Sequence, residues 1–236
     1  MNGNRRCVTM KLNGNQLKII ALITMAIDHI GMYLFPQILF LRIIGRLSMP
    51  IFAYMIAEGC RYTRNRGRYL LLTAGVGFLC QVVYFVAMGS LYQCILITFS
   101  LSILLIYGLD HALRQKTLPA FCLAALDMAA VFFLCVILPK LLPNTDYAIS
   151  YGLYGVLLPV FAFLGKTKKQ SLILTAFGLV LMNLDLGWIQ WYCLLVLPLL
   201  ALYDGTRGKR KLKYLFYIFY PAHLAVLYLI GLLINT

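Results

Sequence analysis

The chain has 236 residues, 62% of them hydrophobic and only 12% charged, yet 21 lysines and arginines against 7 aspartates and glutamates give it a net charge of +14. That apolarity, with a mean hydropathy of +0.86, excludes an ordinary water-soluble domain and a disordered chain. The placement of the charge excludes nucleic acid as its reason. Eighteen of the 21 basic residues fall in the N-terminal tail (Arg5, Arg6, Lys11, Lys18) and in 61–68, 111–117, 165–170 and 204–213. These are every second connection between apolar stretches, the pattern of a polytopic membrane protein whose N-terminus is cytoplasmic.

Nine apolar stretches are expected to cross the membrane: 17–35, 39–60, 69–88, 91–110, 118–138, 147–164, 171–185, 188–203 and 213–234. A membrane helix needs about 20 such residues. The expected architecture is therefore all-α, with a polar cytoplasmic tail over 1–16 and one transmembrane domain over 17–236. The first stretch does not read as a cleavable signal, since no small-residue site follows it and Asp28-His29 interrupts its apolar core.

The first span, KIIALITMAIDHIG, organises the rest. Lys18 and His29 are eleven residues apart, which at ~100° per residue returns them to within about 20° of one face and separates them by roughly 16 Å. That is the wall of a channel with a cation at its inner mouth. The second span carries Arg42, Arg46 and Glu58. Arg42 and Arg46 share a face, and a tight hairpin about Pro36 brings Arg46 to the depth of Asp28 and His29. An Asp28–Arg46 pair would let both charges survive in a membrane, leaving His29 for the channel. Pro50 is expected to kink this helix, and Glu58 falls at the depth of Lys18.

The loop RYTRNRGRY over 61–69 is the most compact basic cluster, and its arginines suit bidentate phosphate binding. The spans at 69–88 and 91–110 read as structural, and Asp110-His111 as a solvated helix end. Asp127, inside the fifth span, is expected to face protein rather than lipid. The segment YAISYGLYG (147–155) reads as an interfacial aromatic belt in preference to one wall of an outer vestibule. The last span places His223 near mid-membrane with Tyr220 on the same face and Pro221 between them.

Seven scattered cysteines form no CxxC and behave as small hydrophobes. A metal held by His29 and His223 lacks an evident third ligand. No Ser-His-Asp arrangement, phosphate loop or HExxH is present. A histidine at mid-depth suits general-base chemistry, because its ordinary pKa is near neutrality.

The blocks LKIIALITMAIDHIG, RIIGRLSMPIFAYMIAEGCRYTRNRGRYL and KYLFYIFYPAHL resemble the signature blocks of the TraX family, over about residues 16–230. A named member of that family is linked to N-terminal acetylation of F-type pilin. The family is similar to multi-helix membrane acyltransferases whose first helix carries a basic residue, ten positions and a histidine, the spacing of Lys18 and His29. The resemblance implies a bacterial cytoplasmic (inner) membrane enzyme, with acyl-CoA, acetyl-CoA by default, as donor. It implies a peptide or surface-molecule acceptor and His29 as general base, supported by Asp28 and Arg46. Lys18, Arg61, Arg64 and Arg66 are then candidates for the nucleotide end of CoA, and Arg42, Tyr220 and His223 for the acceptor. Membrane lipid and a second copy of the chain are further expected partners; no metal and no nucleic acid are. The competing readings are a proton-coupled transporter or flippase relaying through Asp28, His29 and Asp127, and a non-catalytic scaffold.

Overall fold

Capping chemistry sets where several helices begin. Asn13 accepts from the Gln16 amide at 3.0 Å while the Gln16 side chain accepts from the Asn13 amide at 2.9 Å, a reciprocal box that starts α1 (Gly14–Tyr33). The computed structural model describes residues 11–209 and 212–234. The sequence expectations for Arg5, Arg6, Cys7, Arg210 and Lys211 lie outside them. After α1 come α2 (Leu39–Gly45), α3 (Ser48–Tyr62), α4 (Arg66–Met88), α5 (Ile95–Gln115) and α6 (Leu118–Phe132). A π-helical turn (Phe133–Ile137) runs from α6 into α7 (Leu138–Leu141). Then follow α8 (Gly152–Leu164), α9 (Lys168–Asp185), a 3-10 stretch (Trp188–Leu195), α10 (Val196–Ala201) and α11 (Lys213–Ile234). Asn65 caps α4, and Thr167 with Gln170 repeats the box at α9.

Among the described residues, four segments are long and apolar enough to cross a membrane: Leu39–Tyr62, Arg66–Met88, Ile95–Gln115 and Leu118–Leu141. Their exposure differs in an informative way. α3 buries Ile51, Ala53, Tyr54 and Ala57 against Leu17 and Ala21 of α1, Leu158 and Ala162 of α8, and Leu179 and Met182 of α9. α6, by contrast, buries only Ala120 and Val131 and leaves Leu118, Leu123 and Leu126 exposed. An apolar helix exposed around most of its circumference has lipid, not water, as its compatible solvent.

The second apolar stretch tightens between α2 and α3. Arg46 and Leu47 form a tight turn there with helical backbone angles, before Pro50, which sits in the first turn of α3; the irregularity expected at the proline thus lies one turn earlier. α2 lies close along α1 because residue 45 is glycine: a Cβ there would collide with the Asp28 side chain. Ser48 then donates to the Ala21 carbonyl at 2.9 Å, tying α3 to α1.

The basic segments meet at one end of the bundle. Arg61 reaches the Gly165 carbonyl at 2.8 Å, Arg66 reaches Asp110 at 2.5 Å, and Lys168 reaches the Tyr203 carbonyl at 2.5 Å. The start of α1 joins them, with Gly14 donating to Thr206 at 2.7 Å and Asn15 to Arg207 at 3.1 Å. At the opposite end, Gln93 donates to Ala148 at 2.8 Å and Ser150 to Gln93 at 3.2 Å. This pairing draws Ile149 and Ser150 into the interior, while Tyr147, Tyr151 and Tyr154 of the expected belt are half-buried. Tyr151 holds a left-handed backbone (φ 60°) directly before Gly152 (φ 59°), an uncommon conformation for an aromatic residue.

Candidate functional site

Asp28 is the hub of a partly buried charge cluster. Arg46 Nη2 donates to both of its carboxylate oxygens, at 2.5 and 2.6 Å, and Arg46 Nη1 donates to Gln190 Oε1 at 3.0 Å. Arg46 Nε donates to the Arg42 carbonyl at 3.2 Å. Arg42 Nη1 lies 3.2 Å from Asp28 Oδ1 and donates to the Asp28 carbonyl oxygen at the same distance. The expected Asp28–Arg46 pair is present and Arg42 extends it. Arg46 is committed through all three nitrogens, Arg42 only through Nη1. Such a fork of charge-assisted bonds is the arrangement that makes buried ions tolerable.

One residue on, His29 turns away from this cluster to meet His223 of α11. His29 Nδ1 lies 2.9 Å from the Met25 carbonyl oxygen, and His223 Nδ1 lies 2.8 Å from that of Phe219. A carbonyl oxygen only accepts, so in the neutral rings each Nδ1 carries the proton and each Nε2 a lone pair. His223 Nε2 stands 3.3 Å from His29 Nδ1, where it accepts a second branch of that N–H. No hydrogen bond from a described residue reaches His29 Nε2, which leaves a bare imidazole nitrogen in a partly buried place. The rings are fixed by their neighbours: His29 stacks near Tyr33 (centroids 6.2 Å) and His223 stacks on Phe219 (5.1 Å).

A cavity of about 670 Å³ opens at the basic end of the bundle, within the size range of small-molecule sites. Its mouth carries Lys18, Arg64, Arg68 and Arg207 with Glu58; its interior is apolar, lined by Leu22, Phe52, Ile95, Phe99 and Phe216. Lys18 Nζ lies 5.3 Å above the Phe216 ring, a cation–π contact at the change from polar to apolar. The deep end is closed by Met25 and Tyr220. The carbonyl of Met25 holds His29, and the Tyr220 ring centroid is 5.7 Å from that of His223. The cavity therefore stops one helical turn short of His29. The open channel wall expected from Lys18 to His29 is interrupted because α11 packs across it.

The predicted basic site divides. Lys18 and Arg64 line the cavity, whereas Arg61 and Arg66 do not. Arg61 pairs with Glu58 at 2.5 Å and donates to the Ala162, Phe163 and Gly165 carbonyls and to Ser171. Arg66 pairs with Asp110, as does Arg114, so Asp110 is a buried ion-pair hub and not the expected solvated helix end. Arg68 and Arg207 were not singled out by sequence reasoning. Arg68 belonged to the cluster already flagged, but Arg207 reaches the mouth only through the backbone bonds to α1, which no spacing announces. Gln190 was missed for the same reason. Asp127 is half-buried against Gly108 of α5, facing protein as expected, and no hydrogen bond joins it to Asp28 or His29. Among the described residues no three His, Cys, Asp or Glu gather as a metal site.

These features define a helical, membrane-associated protein with a polar site folded into its interior. The chain belongs to the TraX family, whose profile, described as "TraX protein", matches residues 13–231. It is 26% identical over 238 residues to the probable fimbrial assembly protein FimC, serogroup H1, of Dichelobacter nodosus, covering 90% of this chain and 93% of that one. It is also 28% identical over 162 residues to an uncharacterised protein of Rickettsia prowazekii (strain Madrid E), covering 68% of this chain and 59% of that one. No solved structure matches it.

Proposed function

We propose that this protein is a multi-pass acyltransferase of the bacterial cytoplasmic membrane. It takes an acyl group, acetyl by default, from cytoplasmic acyl-CoA and transfers it to an amine or hydroxyl on a peptide or surface molecule. The observation that carries this reading is the cavity: one space runs from a cationic mouth at Lys18 to an apolar end beside the His29–His223 pair. A ligand with phosphates at one end and an acyl chain at the other matches that polarity. The ~16 Å between Lys18 and His29 suits an extended thiol arm. The name of the Dichelobacter relative, a fimbrial assembly protein, supports a pilin-like acceptor.

In this reading the nine apolar stretches all cross the membrane, with the N-terminus and the basic end inside. The Trp188–Ala201 segment has only fourteen residues. Its first eight are 3-10, rising ~2.0 Å each, which lengthens the segment to roughly 25 Å.

The chemistry follows from the bare Nε2 of His29. It takes the proton of the acceptor as the acceptor nitrogen or oxygen attacks the thioester carbonyl carbon. The tetrahedral adduct collapses with cleavage of the C–S bond, and His29 returns the proton to the departing thiolate. Arg42, with donors left over, suits the developing oxyanion better than the fully committed Arg46. Asp28 holds both arginines in place. Tyr220 must swing aside to admit the thioester, as a lid would.

Thiol release from acetyl-CoA and longer acyl-CoAs by purified protein tests this, with wild type beside His29→Ala. Release that disappears in His29→Ala, with CoA binding retained, is expected. Equal release by both removes His29 from the chemistry. Absence of both release and CoA binding overturns the acyltransferase, and solute flux in proteoliposomes then tests transport.

A further inference from the structure

The last helix brings His223 to His29 across 194 positions of sequence, an arrangement with no evident purpose in packing. Two polar rings in an apolar helix bundle each lose hydration, and either could have been satisfied by its own backbone carbonyl alone. Instead the unprotonated nitrogen of one ring is aimed at the protonated nitrogen of the other. We propose that His223 is the positioning residue of the catalytic base: it accepts a second branch of His29 Nδ1–H beside the Met25 carbonyl, reinforces the tautomer that exposes His29 Nε2, and shares the charge when His29 is protonated.

This rests on the acyl-transfer reading above. The logic is that of any base held by a hydrogen-bond acceptor behind it. When His29 Nε2 takes the acceptor's proton, its ring becomes a cation with two N–H groups. The Nδ1–H branch to His223 Nε2 then strengthens, because its donor is charged. No net proton is consumed: the proton gained at Nε2 leaves with the thiolate, and the Nδ1 proton stays between the two rings. Two features make His223 fit for the task. Its own Nδ1 is committed to the Phe219 carbonyl at 2.8 Å, which forces the lone pair onto Nε2. Its ring is clamped between Phe219 and Tyr220, with centroids at 5.1 and 5.7 Å, so the acceptor is pre-placed. Tyr220 also closes the cavity, so a donor that displaces it arrives directly at the histidine pair.

The experiment compares three substitutions that separate the two nitrogens of His223. Asparagine retains a donor where Nδ1 stood but loses the acceptor at Nε2; glutamine retains an amide oxygen near Nε2; phenylalanine retains only the ring. The expected result is a loss of kcat on the order of 100-fold for His223→Asn and His223→Phe, with KM for acyl-CoA unchanged and partial rescue in His223→Gln. Nitrogen-15 NMR of histidine-labelled protein in detergent supplies a readout independent of turnover, and both rings are expected as the Nδ1–H tautomer. An Nε2–H tautomer at either ring overturns the proposal, whatever the activity. Wild-type kcat in His223→Asn, or glutamine no better than phenylalanine, overturns it too. Wild-type protein that neither releases thiol nor binds CoA instead overturns the acyl-transfer reading on which it rests.

Discussion

Two groups of arginines sit in this molecule under opposite terms. Arg46 and Gln190 are buried, Arg42 and Asp28 are partly buried beside them, and the bonds of this group are made within the protein. Arg64, Arg68 and Arg207 are exposed, line the cavity mouth, and form no salt bridge among the described residues. The loop 61–68 contains both kinds within a few residues: Arg61 is consumed by Glu58 and three carbonyls, while Arg64 faces open space. The difference teaches how to read charge in an apolar chain. A charge whose partners lie in the fold holds the fold together, and a charge left at a cavity rim is available to a ligand. Arginine content alone does not separate the two; the count of partners does.

The largest effect should come from breaking the buried group. Asp28→Ala leaves two guanidinium groups unpaired inside the bundle, an expected loss of about 3–5 kcal/mol, seen as a large fall in thermal midpoint or failure to accumulate. Replacing Arg46 with methionine in the same chain should recover part of that stability, since the orphaned charge goes with it. A double variant no more stable than Asp28→Ala would show that the cluster is not the hub described. Next in size is the contrast within the loop. Arg61→Ala should cost about 2–3 kcal/mol by stranding Glu58 and carbonyls that Arg61 satisfied, with CoA affinity altered only as stability falls. Arg64→Ala should change stability by less than about 0.5 kcal/mol yet weaken CoA binding by roughly fivefold. Added salt should erase most of that binding difference. If Arg64→Ala destabilises and Arg61→Ala does not, the division between the two kinds is reversed.

Much of the buried group was legible in the sequence, and for a physical reason. Asp28 and Arg46 are close along the chain, a hairpin at Pro36 sets their depths, and ions in a membrane must pair. The Lys18–His29 spacing was legible because a helix has a fixed period, although the period says nothing of what fills the space in front of it. That is why the cavity's closure by Tyr220 was not foreseen. The His29–His223 contact was considered only as two-thirds of a metal site, because two distant histidines give no hint of which nitrogens meet. Arg207 and Gln190 were hidden for a related reason: both enter through tertiary contacts between distant stretches. The pairing of Gln93 with Ala148 and Ser150 escaped too, since it is a property of two loops.

Asp146 supplies a third kind of charge and the smallest expected effect. It is exposed, yet its carboxylate accepts from Ser90 Oγ at 2.5 Å and from the Leu91 amide at 2.8 Å, at the end of the bundle away from the cavity. Those two bonds hold its pKa below the ordinary 3.8, because both donors favour the charged form. The sign follows by linkage: a depressed folded pKa contributes stability that is complete above 3.8 and is lost as pH falls through the folded value. The tie between 89–94 and 146–151 should therefore loosen only under acid. Amide exchange at Leu91 should accelerate below pH 3.8 by more than the intrinsic rate predicts, while exchange in α3 stays unchanged. In Asp146→Asn that acid step should vanish, with exchange at Leu91 already fast at neutral pH. A step that persists in the asparagine variant would place the acid-sensitive group elsewhere.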